Sequence, residues 1–320
     1  MRIEDFSALC DLKLRTLKVL SIKEVKKIIE SEASEISDVL TLINGYYVVE
    51  CIYRNIKLEE KLSINTIYNE LCKCWVNDLI TVISRASVDL IKFVKAYITK
   101  YAIPTLIGTI KYVQTGGFER PKPIFKCLDD LSNINDVKDV IMVLRDCKEF
   151  DSKVLTEALY GYLNYKLDGI DLGRLEEELN EYYWNSPIAE CQKLVDSIYL
   201  KHALLILRSF HKFDTTLKRK LLLGEDITEL SRKYDYSLYK SIVKDLNINS
   251  YDYISNAFRY LRISSILKLS PLSYDIILYY LLMKEWETTI ISYIIYGFTN
   301  NLEPTYVKDS LKFLVDMIWQ

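Results

Sequence analysis

The chain has 320 residues, half of them apolar, and a formal net charge of −2, so it is long enough to bury a sizeable core. A pI near 5.9 argues against a nucleic-acid-binding protein, because that class usually carries a basic surface. Nine Gly and six Pro are few for this length, which favours an all-α fold. Neither a signal peptide nor a run of about 18 apolar residues is visible, so no transmembrane span is predicted.

The first third of the chain shows a series of amphipathic helical patterns. Apolar residues recur at helical spacing over 20–43 and again over 58–71. A further helix is expected from Ser87, and Pro104 interrupts its continuation. The run 114–117 (Gln-Thr-Gly-Gly) breaks the helical pattern and marks a domain boundary. It is interpreted as a linker and not as a phosphate loop, because no Lys-Ser/Thr follows its glycines.

Similar patterns follow in the rest of the chain. The segment 136–146 echoes the helical pattern that begins at Ile22, and the LEEEL string at 175–179 matches LEEKL at 58–62. The repeat spans roughly 90 to 110 residues, which is too long for tetratricopeptide or armadillo repeats. The sequence therefore predicts three helical units of similar fold, 1–116, 117–214 and 215–320. Each contains one long helix, and these helices are expected over 87–112, 193–210 and 275–298.

The last of these helices lies in the stretch from Pro271 to Pro304. Two apolar runs flank a polar band made of Lys284, Glu285, Glu287, Thr288 and Thr289. Ionisable groups at the middle of a bilayer cost roughly 2.5 to 3.5 kcal/mol each, which argues against a membrane span. The band is either solvated at the surface or, because its neighbours are large and apolar, paired or facing a polar cavity. Ser273 is a plausible N-cap, and Gly297 with Asn300-Asn301 can end the helix.

The motifs of this stretch resemble those of the C subunit of archaeal A-type and bacterial V/A-type ATP synthases, a family related to the d subunit of vacuolar ATPases. The matching residues, in family order, are Pro271, Tyr280-Leu281, Lys284-Glu285, Glu287, Gly297 and Leu302-Glu303-Pro304. The helix LEEELNEYYW also resembles the family, with Asn180 where Asp is usual. Thr105, His202 and Ile290 stand where relatives usually have Asn, and residues 288–292 replace a Val-Arg-Asn-Leu-Arg segment.

The resemblance implies an all-helical funnel of three similar domains around a pseudo-threefold axis, with a central cavity. It implies a non-catalytic rotor component that couples the central shaft to the membrane proteolipid ring, for proton- or sodium-driven ATP synthesis. The protein would associate peripherally with the cytoplasmic face of the cell membrane through these partners, without nucleic acid, metal or cofactor. The three long helices are expected to line the cavity. Candidate cavity or partner contacts are Thr105, His202, Lys284, Glu285, Glu287 and Thr288.

Two other classes of protein fit parts of the sequence. A generic α-helical scaffold would bind a peptide or protein in a superhelical groove. An isoprenoid-type enzyme would hold magnesium with Asp129, Asp130 and Asp136, although no second acidic motif accompanies them. His202 lies in an apolar run and is expected to be a core or cavity-lining residue rather than a catalytic base. Tyrosine clusters such as Tyr46-Tyr47 suit either the core or a partner surface.

The seven cysteines are scattered and odd in number, which favours reduced thiols over a disulfide framework. Cys72 and Cys74 could form half of a structural zinc site, which needs four ligands. The two histidines, His202 and His211, do not complete a Cys/His spacing. Cysteines packed on a helix are therefore the preferred interpretation, and no metal site is predicted.

Overall fold

The computed structural model of the protein describes residues 2–116, 122–164, 170–194, 198–222 and 273–319, with short pieces at 259–260, 263–264 and 266–267. These residues contain thirteen α-helices with defined bounds, two 3₁₀ helices and no β-strand, which confirms the all-α prediction. The patterns predicted over 223–258 lie outside the described residues. The α-helices are α1 (Ile3–Thr16), α2 (Ile22–Glu30), α3 (Ile36–Leu42), α4 (Tyr47–Asn55), α5 (Ile64–Ile83), α6 (Val88–Ile98), α7 (Ile103–Thr115), α8 (Val137–Asp146), α9 (Ser152–Asn164), α10 (Leu172–Cys191), α11 (Ile198–Leu222), α12 (Asp275–Thr299) and α13 (Pro304–Trp319).

Backbone packing divides the chain into two compact units, and neither is continuous in sequence. Unit 1 contains Met1–Asp11 and Cys72–Ser197, and unit 2 contains Leu12–Leu71 and Ile198–Gln320. These bounds differ from those of the three predicted repeat units, and α11 runs without a break through the predicted boundary at residue 214. The internal similarity of the repeats and the threefold funnel remain predictions.

In unit 1, α10 packs against α6, α7 and α9, and α8 packs against α9. Helix α6 begins as predicted, because the Ser87 hydroxyl accepts a hydrogen bond from the Leu90 N–H at 3.3 Å. The buried carboxylate of Asp5 in turn accepts the Ser87 N–H at 2.7 Å and its hydroxyl at 3.0 Å. The N-cap of α6 is therefore fixed by a residue of α1.

The helical pattern over 87–112 is interrupted where Pro104 predicts it. Residues Thr99–Ala102 form a 3₁₀ helix between α6 and α7, since proline lacks the N–H that a continuous α-helix needs. A hydrogen bond from another helix is made next to this tighter turn. The buried Tyr183 hydroxyl of α10 donates to the Tyr97 carbonyl at 3.0 Å. The interruption is thus used to join α10 to the end of α6.

In unit 2, one local prediction of helix extent is wrong. The pattern over 20–43 does form helices, α2 and α3, with extended and bent residues between them. The LEEKL string at 58–62 precedes α5 in turns and irregular backbone, whereas its counterpart at 175–179 lies in α10. Ser63 explains the later start of α5, since its hydroxyl accepts the Thr66 N–H at 3.1 Å as an N-cap would.

Helix α12 forms the core of unit 2, where α3, α11 and α13 pack against it, and twenty of its 25 residues are buried. The Ser273 hydroxyl accepts the Asp275 N–H at 3.2 Å, close to the predicted cap, while Pro271 lies outside the described residues. At the other end Asn301 is left-handed, with φ of 57°. The Leu302 N–H then bonds the Gly297 carbonyl and the Asn301 N–H bonds the Phe298 carbonyl, which is a Schellman motif.

Candidate functional site

The polar band of α12 contains a buried ion pair. Lys284 Nζ lies 2.6 Å from Glu287 Oε2, and the two side chains are only 3% and 1% exposed. Residues three apart share one face of a helix, so the pair forms within α12 itself. The prediction that these charges are paired among apolar neighbours agrees with this geometry, and the alternative of a solvated surface band does not.

Glu287 also binds the chain near its N-terminus. Its Oε1 accepts the Leu20 N–H at 2.8 Å, across 267 residues of sequence. Leu20 lies just before the N-terminus of α2, where backbone N–H groups have no partner within the helix. The carboxylate therefore satisfies a buried donor and neutralises a buried cation with its two oxygens, as a buried charge requires.

Aromatic residues complete this group of side chains, which we call the Glu287 cluster: Lys284, Glu287, Tyr46, Tyr47 and Glu24. Lys284 Nζ lies 5.0 Å from the centre of the Tyr47 ring, within range of a cation–π interaction. Burial raises the pKa of Tyr46, and so do its hydrogen bond to Glu24 and the negative charges of Glu24 and Glu287. The Tyr46 hydroxyl thus stays protonated and serves as a donor.

Glu24 joins the cluster to the start of α2. Its carboxylate accepts the Ser21 N–H at 3.1 Å and the Ser21 hydroxyl, forming the capping box of α2. Burial raises the pKa of Glu24, but the hydrogen bonds from Ser21 and Tyr46 outweigh it and leave the pKa below its ordinary value. The arrangement stabilises charged carboxylates and joins α12 to the segment that precedes α2.

The six predicted contact residues are divided between the two units. Lys284, Glu285, Glu287 and Thr288 are all buried on α12 in unit 2. Thr105 is buried on α7 in unit 1, where its carbonyl accepts the Thr109 hydroxyl at 2.8 Å. His202 is exposed on α11, so it is not a core residue, and its place in a cavity lining remains a prediction. Of the six, His202 alone is exposed.

Sequence reasoning missed how the Glu287 cluster is assembled. The Ser21-x-x-Glu24 pattern is a capping-box signal that can be read locally. The Tyr46-Tyr47 pair suits either the core or a partner surface by sequence, and in the structure Tyr47 contacts Lys284 within unit 2. The contact between Leu20 and Glu287 has no local signal, because it joins backbone to side chain across most of the chain.

The residues expected of an isoprenoid-type enzyme do not form a metal site. Asp129 and Asp130 are exposed, and Asp136 caps α8 by accepting the Lys138 N–H at 2.9 Å. Across the part of the chain that the structure describes, no group of His, Cys, Asp and Glu could hold a metal ion. The acidic triplet is therefore surface and helix cap.

The cysteines depart from the expectation of reduced thiols. Cys127 and Cys147 form a disulfide with a Cα–Cα distance of 5.3 Å. The expectation failed because Cys127 and Cys147 are 20 residues apart in sequence and only the fold brings them together. Cys10, Cys72 and Cys191 do not take part in a disulfide.

Within the described ranges no helix is both long and apolar enough to cross a membrane, and this includes α12 with its four charged residues. Comparison of the chain with protein-family models and with curated proteins finds no match.

Proposed function

We propose that this chain is a non-catalytic central-stalk component of a rotary A/V-type ATP synthase, which couples the central shaft to the membrane proteolipid ring. The proposal rests on the motif order around α12, which resembles the C subunit of these enzymes. The chain would lie at the cytoplasmic face of the membrane, held there by its partners, and would transmit torque for proton- or sodium-driven ATP synthesis.

The packing of α12 and α13 supports this role. A body that carries torque must resist sliding of its helices, and α12 and α13 are fixed to the N-terminal part of unit 2 at several points. Besides the Glu287 bond to Leu20, Lys308 Nζ binds the Ser31 carbonyl at 2.7 Å and Asn300 Nδ2 binds the Leu62 carbonyl at 3.3 Å. Satisfied polar contacts that are buried or half-buried, as these are, restrict the alternative packings open to the helices.

The same contacts disfavour the alternative of a linear scaffold. In a solenoid each repeat contacts only its neighbours in sequence. In unit 2, α2 packs against α13 and α3 packs against α12, which joins the beginning of the chain to its end. A stack of sequential repeats would leave these helices apart.

The exposed side of α11 is the proposed contact with the shaft. Ile198, His202 and Leu205 are exposed at positions i, i+4 and i+7, which lie on one helical face. This face combines two large apolar side chains with one polar group, as partner surfaces often do. The family position held by His202 is one where relatives usually carry Asn.

The test is purification of the tagged full-length chain from detergent-solubilised membranes of its source. We expect the catalytic head, the shaft proteins and the proteolipid to co-purify as one complex, and an untagged strain is the control. Membranes lacking this chain should retain ATP hydrolysis but lose coupled ion transport. Absence of both the catalytic head and the proteolipid from the purified material would refute the proposal.

The shaft contact is tested by His202→Glu combined with Leu205→Glu, because both side chains are exposed and their replacement should leave the fold intact. We expect reduced recovery of the shaft proteins. Met142→Glu, which changes an exposed apolar residue of α8 in unit 1, is the matched control. Equal recovery in both variants would contradict the assignment to α11.

A further inference from the structure

The Cys127–Cys147 disulfide lies in unit 1, where it joins two segments that flank α8. Cys127 lies in the 3₁₀ helix Lys126–Asn133, and Cys147 is the C-cap of α8. Cys147 is buried and Cys127 is half-buried, so the sulfur of Cys127 is the more accessible to a reductant. The disulfide coexists in this chain with Cys10, Cys72 and Cys191, which do not take part in a disulfide.

Both cysteines are also held by contacts that do not involve sulfur. The Glu149 carboxylate accepts the N–H groups of Lys126 and Cys127, each at 3.1 Å. The Ser152 hydroxyl donates to the Cys147 carbonyl at 2.9 Å. The rings of Phe125 and Phe150 pack with their centres 4.6 Å apart. These contacts bring the same two segments together whether or not the sulfur atoms are bonded.

The segment between α8 and α9, residues 147–151, is in turn fixed to the rest of unit 1. The Asp151 N–H donates to the Thr99 hydroxyl at 3.0 Å, and the Asp151 carboxylate accepts the Ser186 hydroxyl at 2.5 Å. Lys95 Nζ donates to the Lys148 carbonyl at 2.5 Å. Reduction of the disulfide therefore leaves Cys147 attached to a segment that cannot move far.

We propose that Cys127–Cys147 is a reversible, redox-sensitive link, in which Glu149 is a positioning residue that keeps the two thiols ready to pair again. Thiols held close together re-form a disulfide at a high effective concentration, because little chain entropy is lost in closing the ring. This inference rests on the proposed cytoplasmic location, where lasting disulfides are rare, so the link would respond to the redox state of its surroundings.

The exchange requires a dithiol reductant. One thiolate of the reductant attacks the Cys127 sulfur, and the Cys147 sulfur leaves as a thiolate that takes a proton from solvent. The second thiolate of the reductant then attacks the reductant's first sulfur, which is bonded to Cys127 in the mixed disulfide. Cys127 leaves as a thiolate and is also protonated by solvent. Two electrons and two protons have passed to the protein, and the reductant has become a disulfide.

The experiment equilibrates the full chain in mixtures of reduced and oxidised dithiothreitol, traps free thiols by alkylation, and measures the paired fraction by peptide mass spectrometry. We expect one reversible transition for Cys127 and Cys147, with the native circular dichroism spectrum retained. In Glu149→Gln, which can accept fewer of the two N–H bonds, the two segments are held less closely and the thiols have a lower effective concentration, so the oxidation equilibrium constant should fall by up to roughly tenfold.

Glu177→Gln, an exposed change on α10, is the matched control and should leave the equilibrium unchanged. Ser152→Ala removes the bond to the Cys147 carbonyl and should shift the equilibrium in the same direction as Glu149→Gln, which provides a second variant if the first does not fold. A wild-type disulfide that is reduced only when the chain unfolds would overturn the proposal. So would positioning variants with the wild-type equilibrium constant.

Discussion

The ion pair of Lys284 and Glu287 decides how unit 2 tolerates substitution, because both charges are desolvated. Removing one member of a buried pair leaves the other charge without compensation, at a cost of about 3–5 kcal/mol. Replacing both members by apolar side chains of similar volume is often much less costly. The two kinds of change therefore separate the value of the pair from the penalty of an isolated charge.

We predict that Glu287→Ala lowers the free energy of unfolding by about 3–5 kcal/mol, since Lys284 and the Leu20 N–H both lose their partner. The double variant Lys284→Met/Glu287→Met should lose less than Glu287→Ala alone. Equilibrium urea unfolding of the full chain, followed by circular dichroism, measures both.

The matched control is the pair Lys57–Glu60, which has the same i,i+3 spacing in unit 2 but is exposed. Glu60→Ala should change stability little, because solvent screens an exposed pair. Equal losses for Glu287→Ala and Glu60→Ala would show that the pair in α12 is not isolated from water.

Asp275, at the first position of α12, gives a dependence of stability on pH. Burial raises the pKa of its carboxyl above the ordinary 3.8, although hydrogen bonds from Ser273 and the Leu200 backbone oppose the shift. The folded state thus binds this proton more tightly than the unfolded chain does. The stabilisation that comes from binding this proton is complete below the ordinary pKa, and it is lost as the pH rises through the pKa of the folded state.

Asp275→Asn, which cannot ionise, should therefore be more stable than the wild-type protein at neutral pH. The advantage should shrink as pH falls toward 3.8, and urea unfolding across that range measures it. Asp309→Asn, an exposed change on α13, should show no such trend. An advantage for Asp275→Asn that grows on acidification would contradict the assignment.

At the scale of elements, the contact between α12 and α13 depends on Gly297, a residue without a side chain. A Cβ atom at Gly297 would lie 2.5 Å from Val307 Cγ2, which is too close for real atoms. The glycine therefore allows the two helices to approach at this point. Gly161 in α9 is a useful comparison, because a Cβ there would meet nothing within 4 Å.

We predict that Gly297→Ala destabilises the protein by about 1–3 kcal/mol through overpacking. Gly161→Ala should stabilise it by about 0.5–1 kcal/mol, since alanine loses less backbone entropy in a helix. Adding Val307→Ala to Gly297→Ala should cost less than the sum of the two single changes. Thermal unfolding of the four variants checks these signs, and destabilisation by Gly161→Ala would count against the explanation.

Much of the helix pattern could be predicted, because the signals that start and end helices are local. Helices α6 and α8 begin where expected, capped by Ser87 and Asp136, and Asn301 adopts the left-handed conformation that ends α12. The predictions failed where apolar spacing continued through a non-helical stretch, as at 58–62. Periodicity records which side chains face a core, and it is weaker evidence about where the backbone hydrogen bonds stop.

At the scale of the whole molecule, α2 and α12 belong to the same unit although they are distant in sequence. We therefore expect them to unfold together, with the same free energy of unfolding. Cooperative units exchange their amide hydrogens together. Helices α2 and α12 are joined by the Leu20–Glu287 bond, whereas α8 and α9 belong to unit 1. Unit membership, rather than position in the chain, should then decide which amides exchange together.

We predict that Glu287→Gln increases hydrogen exchange in peptides from α2 and α12 by a similar factor and leaves peptides from α8 and α9 unchanged. Hydrogen exchange with mass spectrometry of the full chain measures all four helices in one experiment. Arg54→Gln, which changes an exposed residue of α4 in unit 2, is the control and should affect none of them. Faster exchange in α12 alone would mean that the N-terminal helices are held independently.

This level of organisation could not be predicted from the sequence. Three sequential units follow from matching helical patterns, but such patterns identify apolar faces without saying which faces meet. The Glu287 carboxylate could be expected to need a partner, and nothing in its neighbourhood indicates that the partner is a backbone N–H 267 residues away. Local chemistry predicted that the charge is satisfied, and only the fold identifies the partner.

The bond between Leu20 and Glu287 also bears on how the protein is made. A ribosome adds roughly 5–20 residues per second, so α12 is synthesised on the order of 15–50 s after Leu20. During that interval Val25 and Ile28 of α2, which α13 helps to cover in the finished protein, have no C-terminal helix to pack against. Unit 1 needs no residue beyond Ser197, so it can fold while the rest of unit 2 is still being synthesised. The N-terminal segment of unit 2 must meanwhile be kept from aggregating, and unit 2 can assemble only after α12 and α13 have been synthesised.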